Sequence, residues 1–161
     1  MNAMKKLATA AAALMVSAAG ATDLDGFGHH SRRGSIEGVW ILQVTLLSCA
    51  TGTPIGVPPF QAINTFHDGG TLSEHGSRFS PATRNSGQGV WKQVGRNRFT
   101  SRFIFERFDA NGLYAGTQEV DRKMTLSDDG KTLSMTAKVR IVDMNGVLLI
   151  NGCATEEGQR F

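Results

Sequence analysis

The sequence contains few cysteines and few prolines. Its 161 residues include only two cysteines, Cys49 and Cys153, and four prolines. Two cysteines are too few for a disulfide-dense scaffold, and neither has a partner at the C-x-x-C or C-x-x-H spacing of zinc sites. With 40% hydrophobic and 19% charged residues, the chain cannot be disordered throughout. The length favours a single domain.

The chain also lacks a strong excess of one charge. Its formal net charge is +3, but two of the 17 basic residues, Lys5 and Lys6, lie in the first 21 positions, which contain no acid. The remaining 140 residues carry 15 basic and 14 acidic side chains. This balance excludes nucleic-acid binding driven by bulk charge, so we expect no nucleic-acid partner.

No hydrophobic run is long enough to be an ordinary membrane-spanning helix. Two lysines precede an Ala-rich apolar stretch over 7–16, and Ala19-Gly20-Ala21 offers the small residues that a signal peptidase recognises. A membrane anchor is the alternative, but the stretch is shorter than the ~20 residues that span a bilayer. We therefore predict a signal peptide (1–21), a flexible tether (22–35) and one domain (36–161). The mature protein is then periplasmic or secreted, with no membrane attachment.

From Gly38 onward, short apolar and β-branched runs alternate with turn signals. Phe99 to Phe105 and Leu133 to Ile141 alternate apolar and polar residues, which is typical of strands with one wet face. Four dipeptides predict two-residue type I′ hairpins: Gly69-Gly70, Asn111-Gly112, Asp129-Gly130 and Asn145-Gly146. The predicted strands are 38–50, 60–68, 71–76, 88–94, 97–108, 113–126, 132–143 and 147–157. We predict an all-β fold, an eight-stranded antiparallel up-and-down barrel.

The two cysteines fit this barrel as a disulfide. Cys49 falls near the end of the first predicted strand and Cys153 within the last, and these two strands are neighbours when the barrel closes. A register that pairs Cys49 with Cys153 also brings Ile41 near Phe161. The bond would close a loop of about 100 residues, a contribution of ~4–5 kcal/mol in the chain-entropy model. Two buried free thiols are the alternative.

The first strand opens with Gly38-Val39-Trp40, which resembles the Gly-x-Trp signature of the calycins. This superfamily contains lipocalins, fatty-acid-binding proteins and avidins, and the allene-oxide-cyclase type of barrel is similar in length. The resemblance implies an antiparallel barrel that takes a small, usually apolar ligand at its open end. It also implies that Trp40 plugs the barrel base and that Arg160 packs over it. The signature recurs at Gly89-Val90-Trp91, and no Thr-Asp-Tyr motif is present.

Side chains on the inward faces of the predicted strands are the candidates for ligand contact. Aromatic and sulfur-containing residues would provide apolar walls, while Gln118 and Arg122 are polar groups that need a partner or a ligand inside a barrel. The long connection over 76–87 adds Arg78 and Arg84, which could pair with a carboxylate. The predicted ligand-binding set is Phe99, Phe103, Phe105, Tyr114, Gln118, Arg122, Met124 and Met135.

Catalytic chemistry has only weak candidates. If Gly69-Gly70 form a two-residue turn, His67 and Glu74 share one face and could act as an acid–base pair; the alternative is a solvated outer face. His29 and His30, with two nearby aspartates, could capture a metal ion, but a tether offers no preorganised geometry. We predict no metal site, no cofactor and no assigned catalytic residue.

Taken together, the sequence predicts an exported, monomeric barrel that holds an apolar or amphipathic small molecule. One alternative is a cofactor-free isomerase or cyclase in the same barrel, which needs a titratable group that faces inward. The other is a ligandless protein-interaction module, which would have a filled interior and an exposed apolar patch.

Overall fold

Eight antiparallel strands make up most of the part of the chain that the computed structural model describes, residues 34–161. The predicted signal peptide and all but two residues of the predicted tether, with His29 and His30, lie outside the described residues. The strands are β1 (Gly38–Leu47), β2 (Phe60–Phe66), β3 (Thr71–Gly76), β4 (Gly87–Gly95), β5 (Arg98–Phe108), β6 (Tyr114–Leu126), β7 (Thr132–Val142) and β8 (Leu148–Arg160). In residues 34–161 there is no helix that could span a membrane.

The strands form one closed barrel in sequence order, so the predicted up-and-down topology is confirmed. Each strand pairs with the next, and β1 closes on β8 from Trp40↔Arg160 to Leu47↔Cys153. The predicted register of this seam was wrong by two residues, since Cys153 pairs with Leu47 and not with Cys49. Cys49 lies beyond the end of β1. The disulfide itself is confirmed: Cys49 and Cys153 are bonded, with their Cα atoms 5.2 Å apart.

The hairpin turns differ from the predicted type I′ geometry. The strand ends are joined across three or four residues, as between Asp109 and Leu113, where the Asp109 N–H donates to the Leu113 carbonyl. Only glycines among the described residues have positive φ, Gly112 (77°) and Gly146 (80°) among them. The Asp109 carboxylate instead accepts backbone N–H bonds within the turn. In the turns at Asp109 and Asp143, an Asx-type turn followed by one left-handed glycine therefore replaces the two left-handed residues of a type I′ turn. Gly69 and Gly70 both have positive φ, but their turn contains three residues.

Alternation along the strands points every second side chain into the barrel, and these inward side chains fill one half of it and leave the other half hollow. The filled half, here called the base, contains side chains that are almost wholly buried: Ile36, Trp40, Leu42, Phe66, Leu72, Phe99, Met124, Leu126, Leu133 and Met135. The opposite end, here called the mouth, is surrounded by the connections after β1, β3, β5 and β7. Inward side chains near the mouth are less densely packed, and this difference positions the site.

Trp40 and Arg160 close the base. Trp40 is fully buried, and its indole N–H donates to the Ile36 carbonyl at 2.8 Å. The Arg160 guanidinium lies 4.4 Å from the Trp40 ring centre and donates to the carbonyls of Ser35, Glu37 and Gly130. A cation over an aromatic face with three carbonyl acceptors is a satisfied partly buried charge. The two residues thus occupy the positions that the calycin resemblance implied.

The repeated motif Gly89-Val90-Trp91 has a different role. Trp91 is half-buried and contacts Phe66 edge-on and Phe99 at a tilted angle, both at about 6 Å between ring centres. Its indole N–H donates to the His67 carbonyl. A Cβ atom on Gly89 would lie 2.1 Å from the Arg102 carbonyl oxygen. Gly89 is therefore required by the close approach of β4 and β5.

Candidate functional site

A cavity of about 520 Å³ occupies the mouth half of the barrel. Its volume lies within the ~300–1,000 Å³ range of small-molecule sites. The walls come from inward residues of most strands, chiefly Val44, Phe60, Phe105, Val120, Val139 and Ile141. The disulfide lies in the wall where β1 and β8 meet. The walls are mostly apolar, so a ligand would lose water-exposed hydrocarbon surface on entry.

The cavity floor carries a buried ion pair between Arg122 of β6 and Glu156 of β8. The Arg122 Nε donates to Glu156 Oε1 at 2.8 Å, and Nη2 lies 2.8 Å from Oε2 without hydrogen-bond geometry. Both side chains are 2% exposed. The Asn64 amide, oriented with its oxygen toward the guanidinium, accepts from Arg122 Nη1 at 2.5 Å. The guanidinium also stacks 4.4 Å from the Phe103 ring centre.

A second buried ion pair lies nearer the mouth. Arg84, from the loop after β3, donates to Glu74 of β3 at 2.5 Å, and its guanidinium lies 3.6 Å from the Phe105 ring centre. A Cβ atom on Gly87 would lie 2.8 Å from the Glu74 carboxylate and 2.7 Å from Phe103. Glycine at this position therefore leaves space for the charged pair. The predicted loop residue Arg84 thus belongs to the interior of the barrel, in contact with an acid of this chain.

Charges inside the cavity balance. The two arginines and two glutamates of these pairs cancel formally, which limits the cost of burying them. Burial raises the pKa of the Glu156 carboxyl, Arg122 opposes that rise, and the charge of nearby Glu74 adds to it. The deep part of the site therefore favours a ligand portion without net charge, because an added ion there would be uncompensated.

Two further arginines lie at the mouth and line the cavity. Arg107 lies at the end of β5, and Arg78, in the loop after β3, has its guanidinium 5.7 Å from the Phe60 ring centre and 5.4 Å from that of Phe79. Among residues 34–161 neither forms an ion pair with an acid. The entrance is thus positive above a neutral interior.

The predicted ligand-binding residues are divided among three places. Phe103, Phe105, Gln118 and Arg122 line the cavity. Phe99, Met124 and Met135 face inward but are packed in the base, 1–3% exposed. Tyr114 is 42% exposed at the rim and packs edge-on against Phe108.

The proposed arrangement of His67 and Glu74 on one face is wrong. The strands β2 and β3 pair Asn64 with Glu74 and Thr65 with Ser73, one residue away from the predicted register. The reason is the turn, which spans three residues between His67 and Thr71 instead of two. Glu74 therefore faces inward, while the exposed His67 bonds to Ser73 outside the barrel.

Sequence reasoning missed Glu156 and Asn64 as part of the site. Glu156 alternates with the small inward residues Ala154 and Gly158 along β8, so its inward direction could have been predicted from period two. Its pairing with Arg122, which lies 34 positions earlier in the chain, could not have been predicted in this way. Residues 34–161 contain no cluster of three or more His, Cys, Asp or Glu side chains that could hold a metal ion.

These features define a closed eight-stranded antiparallel barrel with an open internal cavity and a charge-balanced floor, a fold compatible with the calycin type. Comparison with protein-family models gives no match for this chain, and comparison with curated proteins gives none either. The fold class therefore rests on strand order, register and the Trp40–Arg160 contact.

Proposed function

We propose that this protein is an exported, calycin-like barrel that binds a small amphipathic molecule in its cavity. The observation that carries the proposal is the contrast between the densely packed base and the open cavity of about 520 Å³ above it. A protein that used its barrel only as a scaffold would gain stability by filling this space. The disulfide agrees with export to an oxidising compartment.

The charge pattern supports a particular orientation of the ligand. The apolar or hydroxylated body lies against Phe103, Phe105 and Val139, above the neutral floor. An anionic end lies at the entrance, where Arg78 and Arg107 supply positive charge. This orientation leaves the two buried ion pairs intact.

Binding explains the site better than catalysis. The acidic groups that line the cavity in the described part of the chain, Glu74 and Glu156, are each paired with an arginine. The observation in favour of an isomerase or cyclase is the pKa of Glu156, which burial raises, since a raised pKa suits a carboxyl to act as a general acid. Arg122 would have to release that carboxyl first.

Filling the cavity should abolish binding. We expect the protein purified from its native source to carry a small-molecule adduct in native mass spectrometry, which is released on denaturation. Val139→Trp places an indole ring in the cavity and should leave the protein folded but empty. Lys138→Trp, on the outer face of the same strand, is the matched control and should keep the adduct. Circular dichroism verifies folding. A wild type that carries no adduct, or a Val139→Trp protein that keeps it, would contradict the proposal.

Removing the positive charge at the mouth should selectively weaken the binding of anionic ligands. For Arg78→Gln combined with Arg107→Gln, we expect dodecanoate affinity to fall about tenfold, because two partly exposed ion pairs contribute up to about 1 kcal/mol each. Calorimetric titration with dodecan-1-ol, which has the same chain and no charge, should show no change. Arg140→Gln removes an exposed charge outside the barrel and is the control. Equal losses for both probes would show that the arginines act by packing and not by charge.

A further inference from the structure

The wall of the barrel has an uncovered strand edge at the mouth, on β8. Strand β1 ends at Leu47, opposite Cys153, while β8 continues toward the mouth as far as Leu148, with β7 as its partner. The five residues 148–152 therefore have a hydrogen-bonded neighbour on one side only. Their backbone N–H and C=O groups on the other side face the position where β1 would continue.

The chain after β1 does not cover this edge. It turns on itself, with the Ser48 N–H donating to Thr53 and the Ile55 N–H donating back to Leu46. Within residues 34–161 no backbone hydrogen bond joins this loop to residues 148–152. The disulfide at Cys153 marks the point where the seam ends.

The edge is also apolar and uncharged. Leu148, Leu149 and Ile150 are 46%, 54% and 52% exposed, and the preceding turn adds the exposed Met144 and Val147. No charged residue occurs over 144–152. Soluble proteins protect exposed edges with lysines, prolines or bulges; here the only such device is a register shift near Leu149, and Ile150 to Gly152 remain regular.

From these observations we propose that two copies of this protein associate through residues 148–152 of β8. An antiparallel pairing of the segment with itself satisfies the free backbone groups, and a two-fold axis near Ile150 makes the contact isologous. The uncharged edge presents no like-charge repulsion to its own copy, and apolar side chains meet apolar side chains. A second copy therefore matches the edge in both backbone and side-chain chemistry. The proposal does not depend on the ligand, and it replaces the expectation of a monomer.

Sedimentation velocity at increasing protein concentration tests this interface. We expect the wild type to shift from monomer to dimer, and Leu149→Lys to raise the dimer dissociation constant by tenfold or more. Leu149 does not line the cavity, so ligand binding should persist. Ile104→Lys is the control: it changes a comparably exposed apolar residue (44%) on β5, which is paired on both sides.

Hydrogen exchange of the same samples identifies the contact. Those amides of 148–152 that point away from β7 should become protected as the dimer forms and should exchange rapidly on dilution. A wild type that stays monomeric at every concentration would overturn the proposal, as would equal loss of dimer in both lysine variants. Protection, already in the monomer, of the amides that point away from β7 would also overturn it, because another part of the chain would then cover the edge.

Discussion

Replacing Arg122 with methionine is expected to lower the free energy of unfolding by about 3–5 kcal/mol at neutral pH. The change leaves Glu156 almost fully buried without its cation and removes the donor to Asn64. Denaturant titration measures the loss. The double variant Arg122→Met with Glu156→Leu should recover most of it, because a pair of apolar residues has no buried charge to desolvate. A double variant as unstable as the single one would show that the pair supports packing rather than charge balance.

The same variant has a defined pH dependence. Burial already raises the pKa of Glu156 in the folded protein above its unfolded value, and loss of Arg122 raises it further. A carboxyl with a raised folded-state pKa favours the folded state most when it is protonated, so this contribution declines as pH rises through the folded pKa. Arg122→Met should therefore be closest to wild type in acid and should lose stability toward neutral pH.

Removing the disulfide with Cys49→Ala and Cys153→Ala together is expected to cost about 2–5 kcal/mol. The bond closes a separation of 104 residues, and long loops have the largest entropy of closure. Denaturant titration of oxidised, reduced and double-alanine proteins measures the effect. The reduced wild type should match the double variant, which serves as the control for lost side-chain packing. No difference between oxidised and reduced protein would show that the β1–β8 seam is stable without its covalent link.

The periodic parts of this fold were predictable from the sequence, and the parts that depend on register were not. Strand bounds such as Thr132–Val142 follow from the alternation of apolar and polar residues, a local property of the chain. The pairing of β2 with β3 depends on the length of one turn, and a single extra residue moved Glu74 to the opposite face from His67. The Gly69-Gly70 dipeptide predicted a turn at this place but did not determine how many residues the turn contains.

The site was predictable only in part for a related reason. The alternation of β6 indicated that Arg122 faces inward and needs a partner. The partner, Glu156, is on β8, which is separated from β6 by one strand, β7, so the contact depends on the registers of two successive hairpins. Which inward residues line a cavity and which pack the base depends on the height of each residue in the barrel. Strand shear sets that height, and Phe99 and Phe105, on one strand, ended up in different halves.

The closed order of the strands also has a kinetic consequence. Seven of the eight strand pairings join neighbours in the chain, whereas the eighth joins Trp40 to Arg160, 120 positions apart. Pairings between distant residues are slow to form, because the entropy of loop closure is lost before any contact is gained. Hairpins will therefore assemble first and the β1–β8 seam last. A chain whose cysteines are already joined begins with the two seam strands tethered, so oxidation before folding converts the slowest pairing of the barrel into a local one.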